Sequence, residues 1–187
     1  MLSLEYMQML REKLRSVPIS ELCLPEEMKL VWLQFGSTED PTFEVYSGLH
    51  SHAFCEVQMS LFGEFSYADG NQPIRICNGQ GLLIAPGAAH RYIHLDTDYL
   101  KCSLAFSVEI GSDLYQRLTM QKFRRFDICN RLTSALDAVL KGLKEDLSSK
   151  TILEQGISQA VEVILKQIGI PLSEKAAQPV PEDERVA

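Results

Sequence analysis

Between Lys29 and Val108 the chain reads as a succession of short strands, and this run restricts the fold more than any other feature. The segments are KLVWLQF, TFEVYS, FCEVQMSLF, EFSYA, PIRIC, GLLIA, HRYIHL and YLKCSLAFSV. They are short and mostly rich in β-branched and aromatic residues, as strands are. Asp69-Gly70 and Asn78-Gly79 put residues that tolerate positive φ where tight hairpins need them, and Pro86-Gly87 closes GLLIA. Seven to nine such strands at this spacing predict an antiparallel sandwich or a small barrel.

The flanks follow a different period. Leu4, Met7, Leu10 and Leu14 recur at helical spacing behind Ser3, and Pro18 ends the pattern, which predicts a helical arm over residues 1–17. After Gly111 the chain is expected to turn helical. Ile128, Leu132, Leu136, Val139 and Leu143 form one stripe, and Leu153, Ile157, Val161, Ile164 and Ile168 form a second. Gly169 and Pro171 supply the stop. Two amphipathic helices across a short break at Ser148-Ser149-Lys150 predict an antiparallel hairpin over 111–170. Val139 beside Leu140 and Ile164 beside Leu165 widen the stripes enough to meet either the barrel or a second copy of the chain. Residues 171–187, polar and proline-bearing, read as a linker leading to a further domain, and 18–110 as the barrel.

Formal net charge is −7, with no basic stripe, so the chain by itself is not expected to bind nucleic acid. No apolar run approaches the roughly 18 residues of a membrane span, and the charged N-terminus lacks the apolar block of a signal peptide. Five cysteines without paired spacing are a poor disulfide framework; reduced thiols and a cytoplasmic location are the expectation.

The four histidines, His50, His52, His90 and His94, fall within 45 residues. His50 and His52 share a face of an extended segment, about 7 Å apart. Glu56 shares that face by parity, but four residues of straight strand add about 13 Å. The chain must therefore bend near Ala53 to Cys55 for Glu56 to meet His52. His90, at the head of a later strand, can approach from across the barrel. The same parity sends Phe54, Glu56 and Gln58 inward from one strand, and Tyr92 and His94 with His90 from the other. Such a set can form a self-satisfied polar network, hold a divalent metal, or touch a small polar molecule such as a sugar or an organic acid.

HSHAFCE followed by Gly63 resembles the first cupin motif, H-x-H-x3-E-x6-G, and GLLIAPGAAH, ending at His90, resembles the second. Three positions depart from the pattern. Glu44 stands where a glycine precedes the first histidine, Pro86-Gly87 replaces P-x-G, and His94 replaces an asparagine. The resemblance implies a mainly β fold, a cupin (double-stranded β-helix) barrel, followed here by an antiparallel helical hairpin. In metal-binding members the matching positions, here His50, His52, Glu56 and His90, supply the ligands for zinc, iron, manganese or nickel.

Within cupins, HSHAFCE, LLIAPGAAHRY and the trailing helices are most similar to the N-terminal effector domain of AraC-type transcription regulators. That implies a sensor for a small-molecule effector in the cavity. It also implies a homodimer formed through the C-terminal helices, with DNA contacted only by a domain absent from this chain. A stand-alone metal-dependent cupin enzyme, a dioxygenase or isomerase, is the alternative.

Overall fold

The computed structural model describes residues 12–13, 22, 24–37, 48–70, 72–93, 98–144 and 150–172. Most of the N-terminal arm, the TFEVYS segment, His94 and the 173–187 linker lie outside the described residues. A short 3-10 turn, Pro25–Glu27, leads into the strands β1 (Lys29–Ser37), β2 (Cys55–Phe62), β3 (Phe65–Asp69), β4 (Gln72–Ile76), β5 (Gln80–Ile84), β6 (Arg91–Ile93) and β7 (Leu100–Ser107). Helix α1 (Asp113–Thr119), strand β8 (Phe123–Asp127) and helices α2 (Asn130–Lys144) and α3 (Lys150–Gln167) complete the described elements.

The strands form two antiparallel sheets, one ordered β1-β7-β2-β5-β8 and the other β4-β3-β6. Alternation along each strand sorts the side chains into two cores. Leu33, Phe35, Cys55, Val57, Met59, Leu83, Cys102, Leu104 and Phe106 leave the larger sheet on its outer face and pack in one cluster with the helices. Leu82 and Ile84 point the other way, into a second cluster with Phe65, Tyr67, Ile76 and Tyr92 of the smaller sheet. The central strands are thus covered on both faces, and six consecutive residues of β2, Cys55 to Ser60, are buried. This is a cupin-type barrel carrying an antiparallel helix pair on one sheet.

The hairpin segment departs from its expected all-helical form. Residues 123–127, FRRFD, form a fifth strand of the larger sheet, antiparallel to β5. Phe126 is seated on Gly81, where an added Cβ would lie 2.1 Å from the Phe126 ring. The helix pair itself is close-packed through small residues. A Cβ on Gly156 would come within 3.0 Å of the Val139 nitrogen and 3.1 Å of the Ala135 oxygen, and one on Gly142 within 3.2 Å of the Leu153 nitrogen. These contacts run in opposite directions along α2 and α3, which makes the pair antiparallel. At the end of α3, Gly169 takes φ +78°, while the Ile170 and Gly169 amides donate to Leu165 and Lys166 carbonyls. That is the glycine stop expected from the sequence. Most apolar side chains of α2 and α3 are buried within the chain, with Leu140 and Ile152 only partly covered; the described large apolar side chains that stay exposed are Val31, Leu49, Phe62, Ile110 and Met120, none of them on these helices.

Candidate functional site

The site is built where two loops enter the barrel. His50 and His90 exchange both backbone hydrogen bonds, at 2.9 and 2.8 Å, outside the regular strands. An antiparallel bridge of this kind places both side chains on one face, and the ring centroids lie 4.3 Å apart. The chain then bends at Ala53 and Phe54 before β2 starts at Cys55. That bend removes the separation a straight strand would impose. His52 Nε2 lies 2.7 Å from Glu56 Oε2, and His90 Nε2 lies 3.2 Å from the same oxygen. One ligand atom from each of His50, His52, Glu56 and His90 lies within 4.8 Å of the others.

The imidazoles are oriented by their own backbone. Nδ1 of His50 meets the Gly48 carbonyl at 2.9 Å, that of His52 the Phe54 carbonyl at 2.8 Å, and that of His90 the Ala88 carbonyl at 2.9 Å. A carbonyl only accepts, so each Nδ1 carries the proton and each Nε2 is left for the centre. Oε2 of Glu56 thus sits between two of these nitrogens, Nε2 of His52 and Nε2 of His90. Burial pushes the Glu56 carboxyl upward, but the hydrogen bonds and charges of His52 and His90 outweigh it and bring its pKa down to about 2. His90 is opposed by its burial and yet raised above its ordinary value by Glu56 and the Ala88 carbonyl. Nδ1–H held by a carbonyl with Nε2 turned toward the centre is the arrangement a metal-binding histidine needs, so the residues fit such a group.

Polar and aromatic neighbours extend the site along the inner wall. Gln58 donates its amide to Glu56 Oε1 and, at 2.8 Å, to Ser103 Oγ, which also accepts from Trp32 Nε1 at 3.0 Å. The buried Gln58 Oε1 has no hydrogen-bond partner among the described residues. Phe54 stacks on His52 with centroids 4.0 Å apart and meets Trp32 edge-on at 4.8 Å. Tyr67, 5.8 Å from His90, faces the cluster from β3. Burial, helped by the Glu56 charge, holds its phenol well above the ordinary tyrosine range.

Of the residues singled out from the sequence, His50, His52, Phe54, Glu56, Gln58 and His90 come together here. Tyr92 lies further along the wall, 5.5 Å from Tyr67 between ring centroids. His94 lies outside the described residues. Trp32, Ser103, Tyr67 and Lys101 were not among the expected site residues. Parity held the signal for Lys101: it is the lone charge in YLKCSLAFSV and alternates with Cys102, Leu104 and Phe106.

No protein-family model matches the chain, and no curated protein matches it. Among solved structures it is similar to ToxT from Vibrio cholerae with an unsaturated fatty acid bound, at 11% identity and a TM-score of 0.46 over 78% of this chain and 59% of that one. It is also similar to the protein YhaK from Escherichia coli, at 14% identity and 0.41 over 58% and 46%. A third likeness is to a cupin-2 domain containing protein from Shewanella frigidimarina, at 18% identity and 0.33 over 44% and 72%. The match takes in about half the length of YhaK and about three fifths of ToxT.

Proposed function

We propose that this chain is the ligand-sensing and dimerisation domain of an AraC-type transcription regulator, taking a small molecule into the barrel. One observation carries the reading. The strands that build the site also carry the helices: Glu56 and Gln58 of β2 face the inner wall, while Val57 and Met59, which alternate with them, pack in the cluster that holds α2 and α3. A ligand that draws on the inner wall therefore acts on the seating of the helix pair through a single layer of backbone. Differential affinity for two seatings is all a switch requires. Two copies pair through the outer faces of α2 and α3 in this reading, and DNA is contacted by a domain outside this chain.

The test is a hybrid regulator. Residues 1–187 are fused to a monomeric helix-turn-helix DNA-binding domain and assayed on a two-half-site operator with candidate sugars and organic acids supplied. Repression that responds to one of them supports the reading. A fusion that is monomeric by sedimentation at high concentration and silent on the reporter contradicts it.

The metal-dependent enzyme is the second reading, and the Nε2 convergence favours it. His50, His52, Glu56 and His90 would hold the ion, whether zinc, iron, manganese or nickel. When bound, such an ion supplies Lewis-acid polarisation of an oxygen on the ligand. Glu56, however, sits near pKa 2 and is a weak base at neutral pH. An enzyme would need its proton acceptor elsewhere. Elemental analysis after expression with the four metals supplied decides whether the centre is loaded, and a metal-free protein removes the enzyme.

A further inference from the structure

Gln58 sits in the middle of the inner wall. In the larger sheet it pairs with Leu82 of β5 on one side and Ser103 of β7 on the other. Leu82 enters the inner cluster with Tyr67 and Tyr92 of the smaller sheet. Exposure falls toward Gln58, from partly buried His52 and Phe54 to Glu56 at 7% and Gln58 at 2%. Its neighbours fix the orientation of its amide. Nε2 reaches both Glu56 Oε1 and Ser103 Oγ. A carboxylate oxygen accepts, so the NH2 end faces Glu56 and the flipped amide is excluded. Both amide hydrogens are then used. Ser103 Oγ takes one of them at 2.8 Å and the Trp32 indole hydrogen at 3.0 Å, so its own proton is left to give. Gln58 Oε1 is buried and has no hydrogen-bond partner among the described residues.

The wall therefore presents one acceptor and one donor, a hydrogen bond apart. A buried acceptor with nothing to accept is unfavourable, and a group that donates to it removes that penalty. A carboxylate has no proton to give, and it would bring a second anion beside Glu56. An ammonium can give to Gln58 but cannot take from Ser103. A hydroxyl does both with a single oxygen. We propose that Gln58 Oε1 accepts a hydrogen bond from a hydroxyl of the molecule held in the barrel, and that Ser103 donates to the same hydroxyl, so that the effector meets this part of the wall as an alcohol or a phenol and not as an anion. This rests on the reading of the barrel as a ligand site and names the group by which the ligand is recognised. Leu82, the cross-strand neighbour of Gln58, offers an apolar surface to the carbon that bears the hydroxyl.

The experiment compares phenol, cyclohexanol and myo-inositol, each against its fully O-methylated ether, which keeps the oxygen and loses the proton. Benzoate and benzamide are the charged and amide arms. Binding at pH 7 is read by the emission of Trp32, whose indole bonds the same Ser103, and by the shift in unfolding midpoint. Wild type, Gln58→Met and Ser103→Ala are used, each checked for native circular dichroism. The expected result is that at least one hydroxyl compound binds the wild type roughly tenfold more tightly than its ether. Whether that compound is a ring alcohol or the polyol separates the two sources of the hydroxyl. Gln58→Met abolishes the preference, whereas Ser103→Ala weakens alcohol and ether together and keeps it. Equal binding of alcohols and ethers to the wild type assigns Gln58 Oε1 to a fixed water and overturns the proposal, as does a preference that survives in Gln58→Met. Binding of benzoate or benzamide with no hydroxyl compound bound also overturns it and leaves the ligand-sensing reading standing. Silence from every compound counts against both.

Discussion

Glu56→Gln is the perturbation that most strains the charge balance of the centre. The carboxylate is 7% exposed and is held by His52 at 2.7 Å and His90 at 3.2 Å. Its pKa falls from 4.5 to about 2 on folding. A difference of that size corresponds to roughly 3 kcal/mol of folding stability carried by the ionised form. Because the folded value is depressed, that contribution is present above the unfolded pKa and is lost as pH falls through the folded one. Near pH 3 less than half of it remains. His90 behaves in the opposite sense. Its folded value is raised above 6.5, so its share is present below 6.5 and is lost as pH rises through the folded value. The pair is at full strength only between the two, near pH 6. In chelator-treated protein, urea unfolding followed by Trp32, the single tryptophan, reports the difference. With a slope of about 2 kcal/mol/M, the variant unfolds about 1.5 M urea earlier at pH 6. The gap narrows at pH 3 and again at pH 9. A variant as stable as the wild type at pH 6, or a gap that is flat across this range, refutes the reasoning.

Three further substitutions probe the walls. Lys101→Met removes an ammonium whose pKa falls from 10.5 to about 8 on folding; a depressed value means stability lost as pH falls through 8, so the variant gains up to about 3 kcal/mol at pH 7 and nothing near pH 11, by urea unfolding. Ser103→Ala strands the Trp32 indole donor and one Gln58 contact, costing about 1–2 kcal/mol and altering Trp32 emission. Gly156→Val drives a side chain into the Val139 and Ala135 backbone; overpacking costs about 1–3 kcal/mol, seen as a melting temperature lower by about 3 °C for each kcal/mol.

The strands and the centre were legible for the same reason. Period-2 alternation and glycine turns fix which residues share a face, so seven of the eight described strands and the inward set His50, His52, Glu56 and His90 follow from spacing and motif. The join between Glu56 and His52 needed a bend, and the bend came at Ala53-Phe54, two residues that carry no turn signature. β8 was missed because FRRFD has two apolar residues, no alternation of its own and no turn dipeptide before it; the strand exists because β5 offers an edge and Gly81 a seat for Phe126. Lys101 was passed over because lysine reads as solvent-facing, although its neighbours had already assigned it to the inner wall. The wide stripes of α2 and α3 left open whether the barrel or a second chain covers them; the structure buries Val139, Ile164 and Leu165 in the chain's own core and leaves Leu140 partly covered.

The convergence of three imidazoles and one carboxylate inside the barrel is the claim on which the rest stands. X-ray absorption at the zinc edge of zinc-loaded protein tests it directly. The account predicts about three imidazole nitrogens and a carboxylate oxygen at about 2.0–2.2 Å, with one imidazole lost in His90→Ala. A zinc shell of water-like oxygens without imidazole scattering, or one unchanged in His90→Ala, would contradict it.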